Sequence, residues 1–107
     1  MIEKPTRVNI LGVVYSITYA DKPSEVDIYK REALWGQIDY WTRTIRVYDN
    51  GRLAADIWEA IIHEVLHGIA AHLHLKNLGK EENHDELDLV ALALVDVLNR
   101  NGWVEMG

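Results

Sequence analysis

The segment His63-Glu64-Val65-Leu66-His67 has the residue types and the spacing of a zinc site. Residues four apart on an α-helix lie on the same face, with their β-carbons about 5–6 Å apart. Two imidazoles at that separation can bind one zinc ion through nitrogens at about 2.0–2.1 Å from the metal. A glutamate directly after the first histidine is placed to take a proton from zinc-bound water. We therefore predict His63 and His67 as metal ligands and Glu64 as a general base.

The residues around this motif predict a long helix over residues 54–77, with Gly79 as a residue that can end it. Apolar residues cover most of the helix circumference, which is typical of a buried central helix, so both histidines should face the interior or a cleft. Gly68 costs about 1 kcal/mol against alanine inside a helix, and we expect another element to pack closely there. His72 and His74 are expected to be ordinary helix residues, although His74 continues the stripe of the two motif histidines.

The composition is that of an ordinary globular protein. At 107 residues, with 49% hydrophobic and 26% charged residues, the chain is expected to form one domain spanning residues 1–107. The net charge of −6 argues against a nucleic-acid partner, which would need a clustered basic surface. Cysteine is absent, so only histidine, aspartate and glutamate are left as metal ligands.

The expected location is cytoplasmic. The first ten residues lack the apolar core of a signal peptide, and no apolar run approaches the roughly 18 residues of a membrane span. We therefore expect no membrane partner. The sequence does not indicate a particular substrate or an oligomeric state.

The sequence on either side of the long helix predicts a sheet before it and a second helix after it. Residues 7–19 are typical of a hairpin or two short strands, residues 20–34 of a loop or short helix, and residues 35–48 of a second antiparallel pair. Asn83 can cap the second helix with Glu86 as its capping-box partner, and Gly102 follows its last turn. The predicted fold is α+β, with a small antiparallel sheet packed on the motif helix and a C-terminal helix.

This order of elements resembles the minimal gluzincin-type metallopeptidase-like proteins, which include the ImmA/IrrE-related domains and small phage-encoded relatives. The matching features are the Gly36-x-Ile38-Asp39 strand, the Ile45-x-Val47 strand, the core IIHEVLHGI at 61–69 and the stretch at 97–101. The resemblance covers most of residues 35–101, and HEVLH is its specific part. It implies a zincin-like fold, a bound Zn²⁺ and a peptide or protein substrate.

A catalytic zinc needs a third protein ligand. The metzincin pattern would place a histidine at Leu73, so that pattern does not fit. Gluzincins take the ligand from the next helix in a Glu-x-x-x-Asp pattern, and the corresponding residues here are His84 and Asp88. On this resemblance His84 binds zinc and Asp88 accepts the free N–H of the first motif histidine. Asp85 and Glu86 stay open as alternative ligands, and a histidine departs from the glutamate usual in these proteins.

Two functions follow from this pattern. The first is a zinc-dependent metallohydrolase, most simply a peptidase, with Glu64 as general base and an extended peptide bound along the 35–48 strands. By residue type, Tyr40, Tyr48 and Arg46 are candidates for stabilising the oxyanion. The second is a non-catalytic metal-binding module, such as a phage accessory or regulatory protein that retains the zincin fold, and the small size of the chain favours it. Replacement of Glu64 discriminates between these two functions, because an enzyme should lose its function and a binding module should keep it.

Overall fold

The computed structural model describes residues 4–76 and 84–103, and for residues 84–88 and 91 it describes the backbone alone. The chain forms a small α+β domain in which a four-stranded sheet is followed by two helices. The elements in chain order are β1 (Arg7–Ile10), β2 (Val13–Ala20), a 3₁₀ turn (Pro23–Glu25), β3 (Gly36–Asp39), β4 (Thr44–Tyr48), α1 (Ala54–His72) and α2 (His84–Arg100).

The sheet is mixed, with the strand order β1-β2-β4-β3. The β1–β2 and β3–β4 pairs are antiparallel, as the sequence predicts for residues 7–19 and 35–48. The central pair β2–β4 is parallel, so the expectation of a purely antiparallel sheet is corrected there. The connection after β2 leads to the outer edge, and the β3–β4 hairpin then brings β4 back beside β2. Period-two alternation cannot reveal this, because it is the same for both strand directions.

The β1–β2 hairpin closes through a two-residue turn. Leu11 and Gly12 both have positive φ, at 51° and 93°, which is the primed turn whose twist matches that of the flanking strands. The side-chain oxygen of Asn9 accepts a hydrogen bond of 2.7 Å from the Gly12 N–H. The turn therefore fixes the register in which Val8 pairs with Tyr15 and places both side chains on the helix side of the sheet.

One face of α1 packs on the sheet. Its buried residues recur at helical spacing and form a single stripe: Ile57, Ala60, Ile61, Glu64, Val65, Gly68 and Ile69. The apolar residues beside this stripe are only half-buried, namely Trp58, Ile62 and Leu66, so the expectation that α1 is buried around most of its circumference is wrong. Trp58 meets Trp103 edge to face, with ring centroids 5.3 Å apart. Within the described residues, neither helix is long and apolar enough to cross a membrane.

Gly68 lets α1 approach the sheet directly behind the histidine motif. A β-carbon at this position would lie 2.8 Å from Cδ1 of Ile10 and 3.2 Å from Cδ1 of Ile38. Both isoleucines belong to strands, and Ile38 belongs to the edge strand β3. The close packing expected at Gly68 is therefore present.

Both helices end in the same hydrogen-bonded motif. In α1 the Leu75 N–H donates to the Ala70 carbonyl at 2.9 Å, and His74 has a φ of 56°. The helix thus ends at His72, and the prediction that it continues to residue 77 is wrong, while Gly79 itself lies outside the described residues. In α2 the Trp103 N–H reaches the Leu98 carbonyl at 2.9 Å, and the intervening glycine at 102 has a φ of 67°, as predicted.

Candidate metal centre

The two motif histidines direct the same ring nitrogen at one point. Nε2 of His63 lies 3.0 Å from Nε2 of His67, and the two rings meet at 74° with centroids 4.7 Å apart. Two nitrogens that each lie about 2.0–2.1 Å from one tetrahedral zinc are about 3.3 Å apart. The pair therefore fits two ligands of one ion, and its spacing also suits a hydrogen bond between neutral imidazoles.

The histidine pair is exposed rather than buried. The side chain of His63 is 65% exposed, and His67 is also exposed. Both lie on α1 beside its buried stripe and line open clefts. The expectation that α1 turns them towards a cleft is therefore confirmed, whereas burial of the imidazoles is not.

Glu64 differs from its neighbours because it belongs to the buried stripe. Its side chain is 8% exposed, and Oε2 lies 4.0 Å from Nε2 of His63. Burial raises the pKa of the Glu64 carboxyl above its ordinary value. The Glu64 pKa is lowered in turn by positive charge on His63 or His67 and by a hydrogen bond from the Ile38 N–H. The carboxylate is thus held next to the imidazole pair by the backbone of β3.

The edge strand β3 lies directly against this carboxylate. The Tyr48 N–H donates to the Trp35 carbonyl at 3.0 Å, so residues 35 and 48 form a hydrogen-bonded pair. Hydrogen-bonded pairs alternate with non-bonded ones in an antiparallel ladder, so the backbone groups of Gly36 and Ile38 point away from β4. Among the described residues no strand pairs with this edge. Backbone donors and acceptors therefore lie beside Glu64.

Of the three candidates for an oxyanion donor, only Tyr40 lies at the motif. Its hydroxyl donates to the His67 carbonyl at 3.1 Å. Burial raises the pKa of the Tyr40 phenol, and negative charge on Glu64 acts in the same direction. Arg46 lies on the opposite face of the sheet, where its guanidinium donates to the Val26 carbonyl at 2.8 Å. Tyr48 follows Arg46 by two residues in β4, so its side chain lies on the same face of the sheet as that of Arg46.

The residues predicted to complete the site lie at the start of α2. His84 is the first residue of this helix, Asp88 lies one turn later, and α2 packs against α1. The side chains of His84 and Asp88, like those of the competing Asp85 and Glu86, lie outside the described residues. Among the side chains that the structure describes, no three potential metal ligands come together.

The other histidines of α1 do not join the pair. Nε2 of His72 lies 2.8 Å from the hydroxyl of Tyr15, which is fully buried. His74 lies beyond the end of the helix, where its backbone forms the terminating turn. His72 is thus an ordinary residue of α1, as expected, whereas His74 lies after the helix, so the expectation that it is a helix residue is wrong.

Two open clefts flank His63. The first has a volume of about 290 Å³ and is lined mainly by His63 together with Trp35, Arg52, Asp56 and Glu59. The second, of about 370 Å³, runs along the other side of the histidine pair. It is lined by His63, Leu66, His67, Ala70, Leu75 and Lys76. Apart from His63, the residues named for the first cleft were not predicted from the sequence as functional. A signal was present, because residues 56, 59, 63 and 67 recur at spacings of three and four along α1.

Comparison of the chain with protein-family models, with curated proteins and with solved structures finds no match. The interpretation of the site therefore depends on its own geometry. That geometry comprises a pair of exposed imidazoles, one buried carboxylate beside them and an open sheet edge along the carboxylate.

Proposed function

We propose that this protein is a zinc-dependent metallohydrolase that acts as a peptidase. The observation that carries the proposal is the convergence of two imidazole nitrogens 3.0 Å apart, with a buried carboxylate oxygen 4.0 Å from one of them. Imidazole nitrogens are ligands that zinc favours, and a chain without cysteine has no thiolate to compete with them. His63 and His67 are the two ligands from α1.

The third ligand in this proposal is His84, and Asp88 accepts the remaining ring N–H of His63. The support is the position of His84 at the first residue of α2, a helix that packs on α1. The resemblance to gluzincin-type proteins, which take a ligand from the same place, supports the assignment and the zincin-like fold. Zinc bound there would lower the pKa of a coordinated water towards about 7 and polarise a substrate carbonyl.

Glu64 is the general base. Its carboxylate takes a proton from the attacking water and passes it to the leaving amine. The Ile38 N–H fixes the orientation of the carboxylate, and the surrounding core restricts its movement. A base that is already oriented reaches the transition state without a further loss of side-chain entropy.

The substrate in this proposal is an extended peptide that adds to the edge of β3. The Ile38 N–H is already taken by Glu64, so the groups available to such a strand are the N–H and carbonyl of Gly36 and the carbonyl of Ile38. A peptide along this edge passes Glu64 and the histidine pair, with a cleft on either side. Tyr40 supplies the hydroxyl nearest the motif, and we assign it the stabilisation of the oxyanion, for which its proton turns from the His67 carbonyl to the substrate.

The test combines metal content with turnover. The purified chain should contain about one zinc per molecule by elemental analysis and should melt at a lower temperature after treatment with EDTA. The zinc-loaded chain should hydrolyse members of a peptide mixture, read by mass spectrometry, and Glu64→Gln should abolish hydrolysis with its zinc retained. Absence of zinc together with melting that is unchanged by EDTA contradicts the metal site. A zinc-loaded chain without turnover supports the non-catalytic module instead.

A further inference from the structure

We propose that the cleft between Trp35 and His63 is a subsite for a positively charged group of the substrate. The group is an ammonium or guanidinium carried by a lysine or arginine side chain, or by the free N-terminus of the peptide. This inference rests on the proposed peptidase function and names its substrate class. We call the site the anionic cleft and define it by Trp35, Arg52, Asp56, Glu59 and His63.

Two carboxylates of the anionic cleft lie on the helix that carries the histidine pair. Glu59 precedes His63 by four residues and Asp56 precedes it by seven, which is about 6 Å and about 10 Å along the axis. Glu59 is exposed and Asp56 is half-buried. Within the described part of the chain, none of the ion pairs involves either residue. A cation in the cleft would thus lie within one to two helical turns of the reacting bond.

Arg52 lines the anionic cleft, but its donors are directed at backbone oxygens. Its guanidinium donates to the Tyr48 carbonyl at 2.9 Å and to the Asp56 carbonyl at 3.3 Å. The same guanidinium lies 4.2 Å from the centroid of the Trp35 ring. These three contacts hold Arg52 as part of the wall, and it is not within ion-pair distance of either carboxylate. The carboxylates of Asp56 and Glu59 therefore stay outside any ion pair, and their two negative charges exceed the single positive charge of Arg52 in the cleft.

Trp35 supplies the apolar wall of the anionic cleft. Its side chain is 63% exposed, although its backbone carbonyl is fixed by the Tyr48 N–H at the start of β3. The Arg52 guanidinium already lies over this ring, so Trp35 serves a ligand through its exposed apolar surface, which can pack against the methylene stem of lysine or arginine. A large exposed aromatic next to two carboxylates is therefore the surface that a long cationic side chain fits.

The second cleft differs from the anionic cleft in charge, because it contains no carboxylate among its described lining residues. Its walls are Leu66, Ala70 and Leu75, and its one cationic side chain among the described residues is Lys76. A positively charged group is repelled there and attracted on the Trp35 side. Because His63 lines both clefts, the difference in charge across the histidine pair distinguishes one side of the bound peptide from the other.

The experiment measures peptide binding without turnover. The zinc-loaded Glu64→Gln chain is titrated calorimetrically with acetylated and amidated alanine pentapeptides that carry lysine, arginine, glutamine, leucine or glutamate at the centre. A further alanine pentapeptide has a free N-terminus. We expect the cationic peptides to bind about tenfold more tightly than the glutamate peptide, since each exposed ion pair contributes up to about 1 kcal/mol. A preference for central lysine identifies the side chain as the cation, and a preference for the free N-terminus alone identifies the amine.

The two double variants are matched because each removes two negative charges. Asp56→Asn with Glu59→Gln in the same background should remove the preference, whereas Asp21→Asn with Glu25→Gln, both at exposed positions, should keep it. Equal affinity for the lysine and glutamate peptides, or a preference that survives the first pair of substitutions, overturns the anionic cleft. Repeating the titration without zinc separates the two proposals. A cationic preference in a chain that neither binds zinc nor hydrolyses peptides supports the cleft alone, and hydrolysis without a cationic preference supports the hydrolase alone.

Discussion

Gly36 of the edge strand and Glu64 of α1 are in such close contact that a β-carbon at position 36 would require the Glu64 side chain to move by a few tenths of an ångström. A β-carbon at position 36 would lie 3.0 Å from Oε2 of Glu64 and 3.3 Å from its Cγ. The φ of Gly36 is not positive, so the requirement for glycine here concerns space and not backbone conformation. The absence of a side chain at position 36 lets the open sheet edge lie directly over Glu64, the proposed general base.

The first prediction is that Gly36→Ala lowers peptide hydrolysis strongly while zinc content stays unchanged. The new methyl group displaces the Glu64 carboxylate but does not touch the histidine pair, and the overpacking should cost about 1–3 kcal/mol in the free energy of unfolding. Hydrolysis rates, elemental analysis and urea unfolding measure the three effects.

A double-mutant cycle controls this prediction. In a Glu64→Ala background the carboxylate is absent, so Gly36→Ala should there be close to neutral for stability. An equal stability cost in both backgrounds would mean that the two residues are not in contact in solution.

The part of the site that lies within one helix could be predicted from the sequence. His63, Glu64 and His67 are four residues apart at most, so helical geometry alone relates them. The contact of Gly36 with Glu64 joins residues 28 positions apart, and it depends on β3 being the outer strand. The alternating pattern of residues 36–39 predicts a strand but does not give its place in the sheet. The parallel pairing of β2 and β4 was missed for the same reason.

The second prediction concerns Asp27, a fully buried residue in the chain segment that connects β2 to β3. Its carboxylate accepts hydrogen bonds from the Tyr29 N–H at 2.9 Å, the Gln37 amide at 3.0 Å and the Arg31 N–H at 3.2 Å. Burial alone raises the pKa of Asp27, but these hydrogen bonds and the Arg31 charge outweigh it and hold the pKa at about 2. Because Gln37 belongs to β3, the carboxylate also anchors the strand that contacts Glu64.

The folded pKa of Asp27 is lower than that of an unfolded chain, which is about 3.9. Its contribution to stability is therefore complete above about pH 4 and is lost as the pH falls towards about 2. Asp27→Asn should lower the stability at neutral pH and flatten its dependence on pH across this acid range. Urea unfolding at a series of pH values measures both effects, with Asp21→Asn as an exposed control. An acid dependence identical to that of the parent would contradict the assignment.

The third prediction is that His74→Gly stabilises the chain. His74 has a φ of 56° at the position after the helix end where glycine is usual, and a non-glycine residue there costs about 1–2 kcal/mol. We expect the free energy of unfolding to rise by about 1 kcal/mol with unchanged zinc content, measured by urea unfolding and elemental analysis. This helix end was not predicted from the sequence, because the usual glycine signal occurs only at position 79. Loss of stability in the variant would indicate that the imidazole of His74 makes a contact of its own.

The last prediction identifies the third metal ligand. In the proposed site helix α1 contributes two ligands, because its next histidine, His72, lies against Tyr15 and the chain then turns at His74. The remaining donor must come from another element, and a chain without cysteine offers histidine or carboxylate. His84 is the first residue of α2, and α2 packs on the helix that carries the pair.

His84→Ala should therefore weaken zinc binding far more than Asp85→Ala or Glu86→Ala, as measured by competition with a chromophoric chelator. Asp88→Ala should weaken it by about 10–100-fold, which is typical of losing the hydrogen-bond partner of a ligand. Circular dichroism of each variant checks that α2 still forms. Zinc affinity that survives in His84→Ala but falls in Asp85→Ala or Glu86→Ala would replace the three-histidine site with two histidines and a carboxylate, since each variant removes one donor from the same helical turn.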